Sequence, residues 1–305
     1  MKTLSIILGI SLVFALSCQP TQPAEPTLRR TEGTLTVDGR NRFYLINLPP
    51  NYDQSNDVPL VIALHGGGGK GSQMESDYLL TEKANAAQFA IVYPDGVQSD
   101  GILGARTWNA GTCCDYAVEQ NIDDVKFIRV LIDELIKKYP NINPKKVYAT
   151  GMSNGAMMCY RLACELSTKI AAIAPVAGTY AVTTACQPTR PVPILHIHSK
   201  LDAKVPYEGG TGIFGYYFPP VADGLATWVK NDGCASTSKT VSIFPNYTLT
   251  KWNNCTNSTI EFYFTNDGGH SWPGGVKSRV AADDPSTAIN ANDVIWEFFQ
   301  RYQLP

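Results

Sequence analysis

Gly151-Met152-Ser153-Asn154-Gly155 is a G-x-S-x-G pattern with a serine at its centre. A serine hydroxyl becomes a useful nucleophile only when a base takes its proton and donors receive the oxyanion that its attack creates. The flanking residues suit that demand. Val147-Tyr148-Ala149-Thr150 reads as a buried strand and 156–166 as a helix. Strand, tight turn and helix together turn a weak five-residue match into a nucleophile elbow. Glycines at 151 and 155 permit the strained backbone that lifts Oγ clear of the sheet. A second glycine run, His65-Gly66-Gly67-Gly68-Gly69, follows the apolar stretch 59–64 directly. It lets backbone approach a ligand closely, and the N–H groups of Gly67 and Asn154 are the expected oxyanion donors. No Gly-Lys-Ser/Thr follows, which argues against a nucleotide phosphate loop.

The chain has four histidines, His65, His196, His198 and His270. In an elbow of the α/β-hydrolase type the histidine comes last, after the acid. His65 precedes Ser153, and His196 and His198 lie inside an apolar strand. His270 remains, in Asp267-Gly268-Gly269-His270-Ser271-Trp272-Pro273, after the last expected strand. The acid must lie between Ser153 and His270, near the end of a strand. Asp202, just past the run 192–198, fits best, with Glu208 second. Ser153 is then expected as nucleophile, His270 as general base and Asp202 as the group that orients it. Asp123 and Asp124 open an amphipathic stretch, 122–139, where carboxylates suit the positive helix end.

Those groups must be positioned by the rest of the chain. Apolar runs at 59–64, 89–93, 170–176, 192–198 and 260–265 alternate with helical stretches at 78–88, 122–139, 223–231 and 289–302. That alternation predicts an α/β fold, a mostly parallel central sheet with helices on both faces. A hairpin is expected over 33–48, turning at Asp38-Gly39. The segment 97–117 is irregular and long, so it is a candidate substrate-facing loop containing Trp108. The 305 residues, 44% apolar with a net charge of -2, can bury one sizeable core and give no electrostatic case for nucleic acid.

Residues 1–18 read as a signal peptide: a short basic start, an apolar run too short to span a bilayer, then Leu16-Ser17-Cys18. Cys18 is placed as the acylated cysteine of a bacterial lipobox, with simple cleavage and release as the rival. Residues 19–32 read as a flexible tether and 33–305 as one catalytic domain. A secreted monomer is expected. Export permits disulfides. Cys234 and Cys255 flank a short segment and suit one another. Cys113, Cys114, Cys164 and Cys186 allow two further bridges in any of three connectivities, and Cys159 is left over as a buried thiol. Paired C-x-x-C and H-x-x-x-H patterns are lacking, so neither metal nor cofactor is expected.

The motifs together resemble secreted esterases of the polyhydroxybutyrate depolymerase-like and feruloyl esterase group, related to carbohydrate esterase family one. The resemblance runs from about Gly33 to Tyr302. It includes Leu64-His65-Gly66-Gly67-Gly68, Cys113-Cys114, Ala174-Pro175-Val176-Ala177-Gly178, His196-Ile197-His198, Val205-Pro206-Tyr207 and Gly269-His270-Ser271-Trp272-Pro273. It implies the same Ser153, Asp202 and His270, and an aromatic contribution from Trp272. Ser199 stands where the group usually has glycine, and Asp115 where a small residue is frequent. The resemblance leaves the substrate open; feruloyl or acetyl esters on plant polysaccharide are expected, with Trp108, Trp272 and Tyr216-Tyr217-Phe218 offering stacking faces. The alternatives are a polyhydroxybutyrate depolymerase and, from another class, a non-catalytic glycan-binding lipoprotein.

Overall fold

The protein, seen in a computed structural model, is described over residues 29–101, 104–235, 239–277 and 279–305. The expected signal peptide, Cys18 and most of the tether lie outside the described residues. The chain enters as a hairpin of β1 (Arg29–Val37) and β2 (Arg40–Leu48). The strand therefore takes up residues 29–32, expected in the tether. Arg29 pairs with Leu48 across the ladder, and the Arg30 guanidinium bonds Glu75.

Then come β3 (Val58–Leu64), α1 (Gly71–Tyr78), α2 (Leu80–Ala87) and β4 (Ala90–Pro94). The helix expected over 78–88 starts at Leu80 because Leu79, at φ 55°, breaks the run. The helix before it carries mostly polar residues and so left little periodic signal. The irregular segment holds a small ribbon, β5 (Val97–Gln98) with β6 (Arg106–Thr107), and α3 (Asp115–Glu119). In α4 (Asp124–Lys138) Asp123 caps the first turn by accepting the Lys126 N–H at 2.8 Å. Asp124 instead turns inward to a buried ion pair with Arg42 at 2.7 Å.

β7 (Ile142–Met152) leads into α5 (Asn154–Glu165), and β8 (Ala172–Val176) and β9 (Ile194–Ser199) follow. A second ribbon, β10 (Gly210–Thr211) with β11 (Tyr217–Phe218), precedes α6 (Val221–Asn231). The chain closes with β12 (Lys239–Ile243), β13 (Tyr247–Trp252), β14 (Ile260–Thr265) and α7 (Ala291–Phe299). Neither β12 nor β13 was expected. β12 is an edge strand exposed at every residue, so it shows no buried alternation.

Ten strands form one sheet in the order β1-β2-β4-β3-β7-β8-β9-β14-β13-β12. The six from β4 to β14 run parallel, and antiparallel pairs flank them on both sides. Alternate residues of each central strand feed opposite cores. Leu60, Ile62 and Leu64 pack with α4, α5 and α6, whereas Val61 and Ala63 pack with α1, α2 and α7. Each fully buried Leu, Ile or Phe in these layers contributes about 1.5–3 kcal/mol, which makes the sheet a rigid platform. Cys164 is bonded to Cys186, Cys234 to Cys255 and Cys113 to Cys114, and Cys159 is free and buried.

Candidate active site

Ser153 sits between β7 and α5 at φ 56° and ψ -119°, a conformation that L residues rarely adopt. Its surroundings hold it there. The Ser153 N–H donates to Val176 O at 2.9 Å, and the Ser153 carbonyl receives the Met157 N–H at 3.0 Å. The turn works only with a glycine at 155, where an added Cβ would lie 2.2 Å from the Leu64 carbonyl oxygen. The helix start behind the serine brings its positive end to the site.

The glycine loop after β3 lies across this turn. A Cβ on Gly66 would be 3.4 Å from Ser153 Cβ, and one on Gly67 would be 3.8 Å from Asn154 Cβ. Gly67 and Asn154 are thus brought together beside the serine. His65 anchors the loop. Its Nε2 accepts the Gly96 N–H at 2.9 Å, which puts the ring proton on Nδ1. Nδ1–H then donates to Gly66 O at 2.8 Å, and Gly69 N–H reaches the same carbonyl at 3.0 Å. In a trans peptide the C=O and the following N–H point opposite ways. Holding Gly66 C=O therefore aims Gly67 N–H. Burial pushes the His65 imidazole down to about 4, so it stays neutral near pH 7.

Asp202 and His270 meet on the same sheet edge. Asp202 leaves β9 three residues past its end, and His270 leaves β14 five residues past its end. Asp202 Oδ2 accepts from His270 Nδ1 at 2.8 Å. Its Oδ1 accepts the backbone N–H groups of Lys204 at 2.9 Å and Val205 at 2.8 Å. With Nδ1–H engaged, Nε2 is the ring nitrogen left to accept a proton. Two side chains stitch the loops together. Ser199 Oγ lies 3.0 Å from both Asp267 O and Gly268 O and accepts Leu201 N–H at 3.0 Å. Asp283 Oδ2 accepts the His270 N–H at 2.7 Å, and Lys204 Nζ reaches its other oxygen at 3.1 Å. Burial raises the Asp283 carboxyl's proton affinity, but the His270 and Lys204 donors outweigh it and hold the pKa below the usual value. No sequence signal marked Asp283, which stands in a polar run 13 residues beyond His270.

The two tryptophans expected at the substrate take structural positions instead. Trp108 is fully buried: its backbone N–H and carbonyl clamp the Asn154 side chain at 2.7 and 3.0 Å, and Nε1 donates to His65 O at 2.9 Å. Trp272 is 1% exposed, stacks on Tyr78 at 4.9 Å and donates Nε1–H to Asn292. Each anchors a site loop and offers no free face. The aromatic groups that are exposed nearby are Phe214 and Tyr217. Among the described residues no cluster of metal-ligating side chains forms.

A strained serine at the elbow, a glycine loop over the helix start, and an acid–histidine pair on neighbouring strand ends define an α/β-hydrolase. The chain belongs to the Phospholipase/Carboxylesterase family, whose sequence profile matches residues 52–217. It is 30% identical over 273 residues to feruloyl esterase B of Piromyces equi, covering 87% of this chain and 46% of that one, so it spans less than half of that relative's length. It is 27% identical over 285 residues to feruloyl esterase C of Emericella nidulans, covering 90% and 88%. The fold is similar to that of an acetyl xylan esterase from Aspergillus awamori, with a TM-score of 0.62, 17% identity and coverage of 88% and 99%. No helix among the described residues is long and apolar enough to cross a membrane.

Proposed function

We propose that this protein is a secreted serine esterase that cleaves carboxylic esters through an acyl-enzyme. The observation that carries the reading is the 2.8 Å bond from His270 Nδ1 to Asp202, on the sheet edge where Ser153 is held in its strained turn. His270 Nε2 takes the Ser153 proton as Oγ attacks the ester carbonyl. The developing oxyanion forms toward the N–H groups of Gly67 and Asn154, in a site where donors fixed beforehand stabilise charge most. His270 returns the proton to the leaving alcohol. Water then attacks the acyl-enzyme by the same route in reverse, and the acid is released.

The substrate class in this reading is feruloyl or acetyl esters linked to plant polysaccharide. The relatives named feruloyl esterases and the structural neighbour named an acetyl xylan esterase support it. So do Phe214 and Tyr217, which are 89% and 68% exposed. Their hairpin packs on the acid loop through Ile213 N–H to Lys204 O at 2.8 Å, and so offers aromatic surface at the rim. Export by residues 1–18 and anchoring through Cys18 complete the proposal, and the bonded cysteine pairs are consistent with an oxidising compartment.

The purified protein should be tested against methyl ferulate, acetylated xylan and a hydroxybutyrate oligomer. Release of ferulate or acetate well above release of hydroxybutyrate is the expected result. Preference for the oligomer would transfer the assignment to a polyester depolymerase. Binding of glycan with no turnover of any ester would leave a non-catalytic lipoprotein.

A further inference from the structure

Behind the acid loop lies a row of buried polar groups that the proposed mechanism does not use. Tyr160 on α5 points its hydroxyl at His196 Nδ1, 2.8 Å away. His196 Nε2 is 3.2 Å from His198 Nδ1. His198 Nε2 is 2.9 Å from Val205 O and 3.5 Å from Asp202 Oδ2. The tyrosine and both histidines are 0–1% exposed. Their neighbours on β9, Ile194, Leu195 and Ile197, are all apolar, so apolar side chains would fill these places at lower cost.

The proton on each ring follows from the ends. A carbonyl oxygen only accepts, so Val205 O requires the proton on His198 Nε2. His198 Nδ1 must then accept, which puts the His196 proton on Nε2. His196 Nδ1 must accept in turn, and Tyr160 O–H supplies the donor. Burial lowers the proton affinity of both imidazoles, in keeping with one proton each. All three donors point the same way, toward Val205 and Asp202. The Val205 N–H also holds Asp202 Oδ1, so the row braces the stretch of backbone that cradles the carboxylate, with His198 Nε2 3.5 Å from Asp202 Oδ2.

We propose that Tyr160, His196 and His198 form a one-way hydrogen-bond row in which His198 is the positioning residue for Asp202, keeping that carboxylate aimed at His270. The inference rests on Asp202 being the acid of the esterase reading. The titratable groups around His198 are His196, Asp202, His270 and Tyr207, with Tyr160 one step further. Loss of the row leaves the Asp202 charge less compensated, so Asp202 binds the His270 imidazolium more firmly.

The test compares kcat, KM and the pH profile of kcat/KM on p-nitrophenyl acetate for wild type, Tyr160→Phe, His198→Phe, His198→Gln and Asp202→Asn. Tyr160→Phe keeps every ring contact and removes one hydroxyl. It should lower kcat about threefold to tenfold, the worth of one neutral hydrogen bond, with KM little changed. Its acid limb should move to higher pH. His198→Phe should lose more than about tenfold in kcat, and His198→Gln, with an amide donor in reach of Val205 O, should recover part of that. If His198→Phe does not fold, Tyr160→Phe decides. Wild-type kcat and an unmoved acid limb in the folded variants, with Asp202→Asn inactive, would overturn the row while leaving the acid in place. An active Asp202→Asn would overturn both.

Discussion

Replacing His65 tests how the oxyanion loop is aimed. His65→Phe keeps an aromatic ring against Trp108, whose centroid is 5.1 Å away, and removes both ring nitrogens. Two effects follow. Gly66 C=O loses its Nδ1–H donor and keeps only Gly69 N–H, so the Gly66–Gly67 peptide is free to rock and Gly67 N–H is no longer fixed. Losing one oxyanion donor outright costs about 10²–10³ in kcat, and a donor that is misaimed rather than deleted should cost about 10–100-fold. Gly96 N–H loses its acceptor, and a buried orphan donor costs about 1–3 kcal/mol, which lowers Tm by about 3–10 °C. His65→Asn separates the two, because its amide can replace the Nδ1 donor but not the Nε2 acceptor. It should regain most of kcat and little of the Tm. Steady-state kinetics on p-nitrophenyl acetate and thermal melts at pH 4.5 and 7.5 measure both. A pH effect follows as well. Burial holds folded His65 near 4 while the unfolded value is 6.5, so only the unfolded chain takes up a proton between them. Stability that is fully present above about pH 6.5 is lost as pH falls toward 4, worth about 3 kcal/mol. The phenylalanine variant should show a flatter Tm against pH. A folded His65→Phe with kcat within twofold of wild type would refute the aiming argument.

Two further outcomes are expected. Asp232 is buried, which raises its pKa to about 6 against 3.8, partly offset by donors from Ser258 and Val192. Its contribution is therefore fully present below about pH 3.8 and lost as pH rises through 6, so Asp232→Asn, which can still pair with both partners, should gain about 1–3 kcal/mol at pH 8 and less than about 1 kcal/mol at pH 4. Denaturant midpoints at the two pH values measure this, and a variant less stable at pH 8 contradicts it. Ser199→Gly cuts the tie between the acid and histidine loops and should lower kcat about threefold to thirtyfold with KM nearly unchanged. A wild-type kcat would mean that Asp283 and Trp272 hold the histidine loop unaided.

The parallel sheet was legible because its strands are continuous apolar runs and its helices carry one apolar face. The elbow and glycine loop were legible for a different reason: only small residues tolerate those backbone approaches, as the 2.2 Å clash at Gly155 illustrates. The pairing of Asp202 with His270 followed from chain order. What stayed hidden has no local signature. Asp283 is held by partners distant in the chain, and nothing in a polar loop separates it from Asp284 beside it. Trp108 and Trp272 misled because an aromatic near a site motif looks the same whether it faces substrate or the core. Their indole N–H groups, satisfied by His65 O and Asn292, show which it is. β12 was invisible because a strand exposed on both faces has no periodicity to read.

The most direct test is labelling by a fluorophosphonate, with the adduct located by peptide mass spectrometry. One adduct is expected, on Ser153 of the wild-type protein, with the rate falling by about 10³-fold or more in His270→Ala and little in His196→Ala. An unlabelled wild type, an adduct on another residue, or an equal rate in His270→Ala would contradict it.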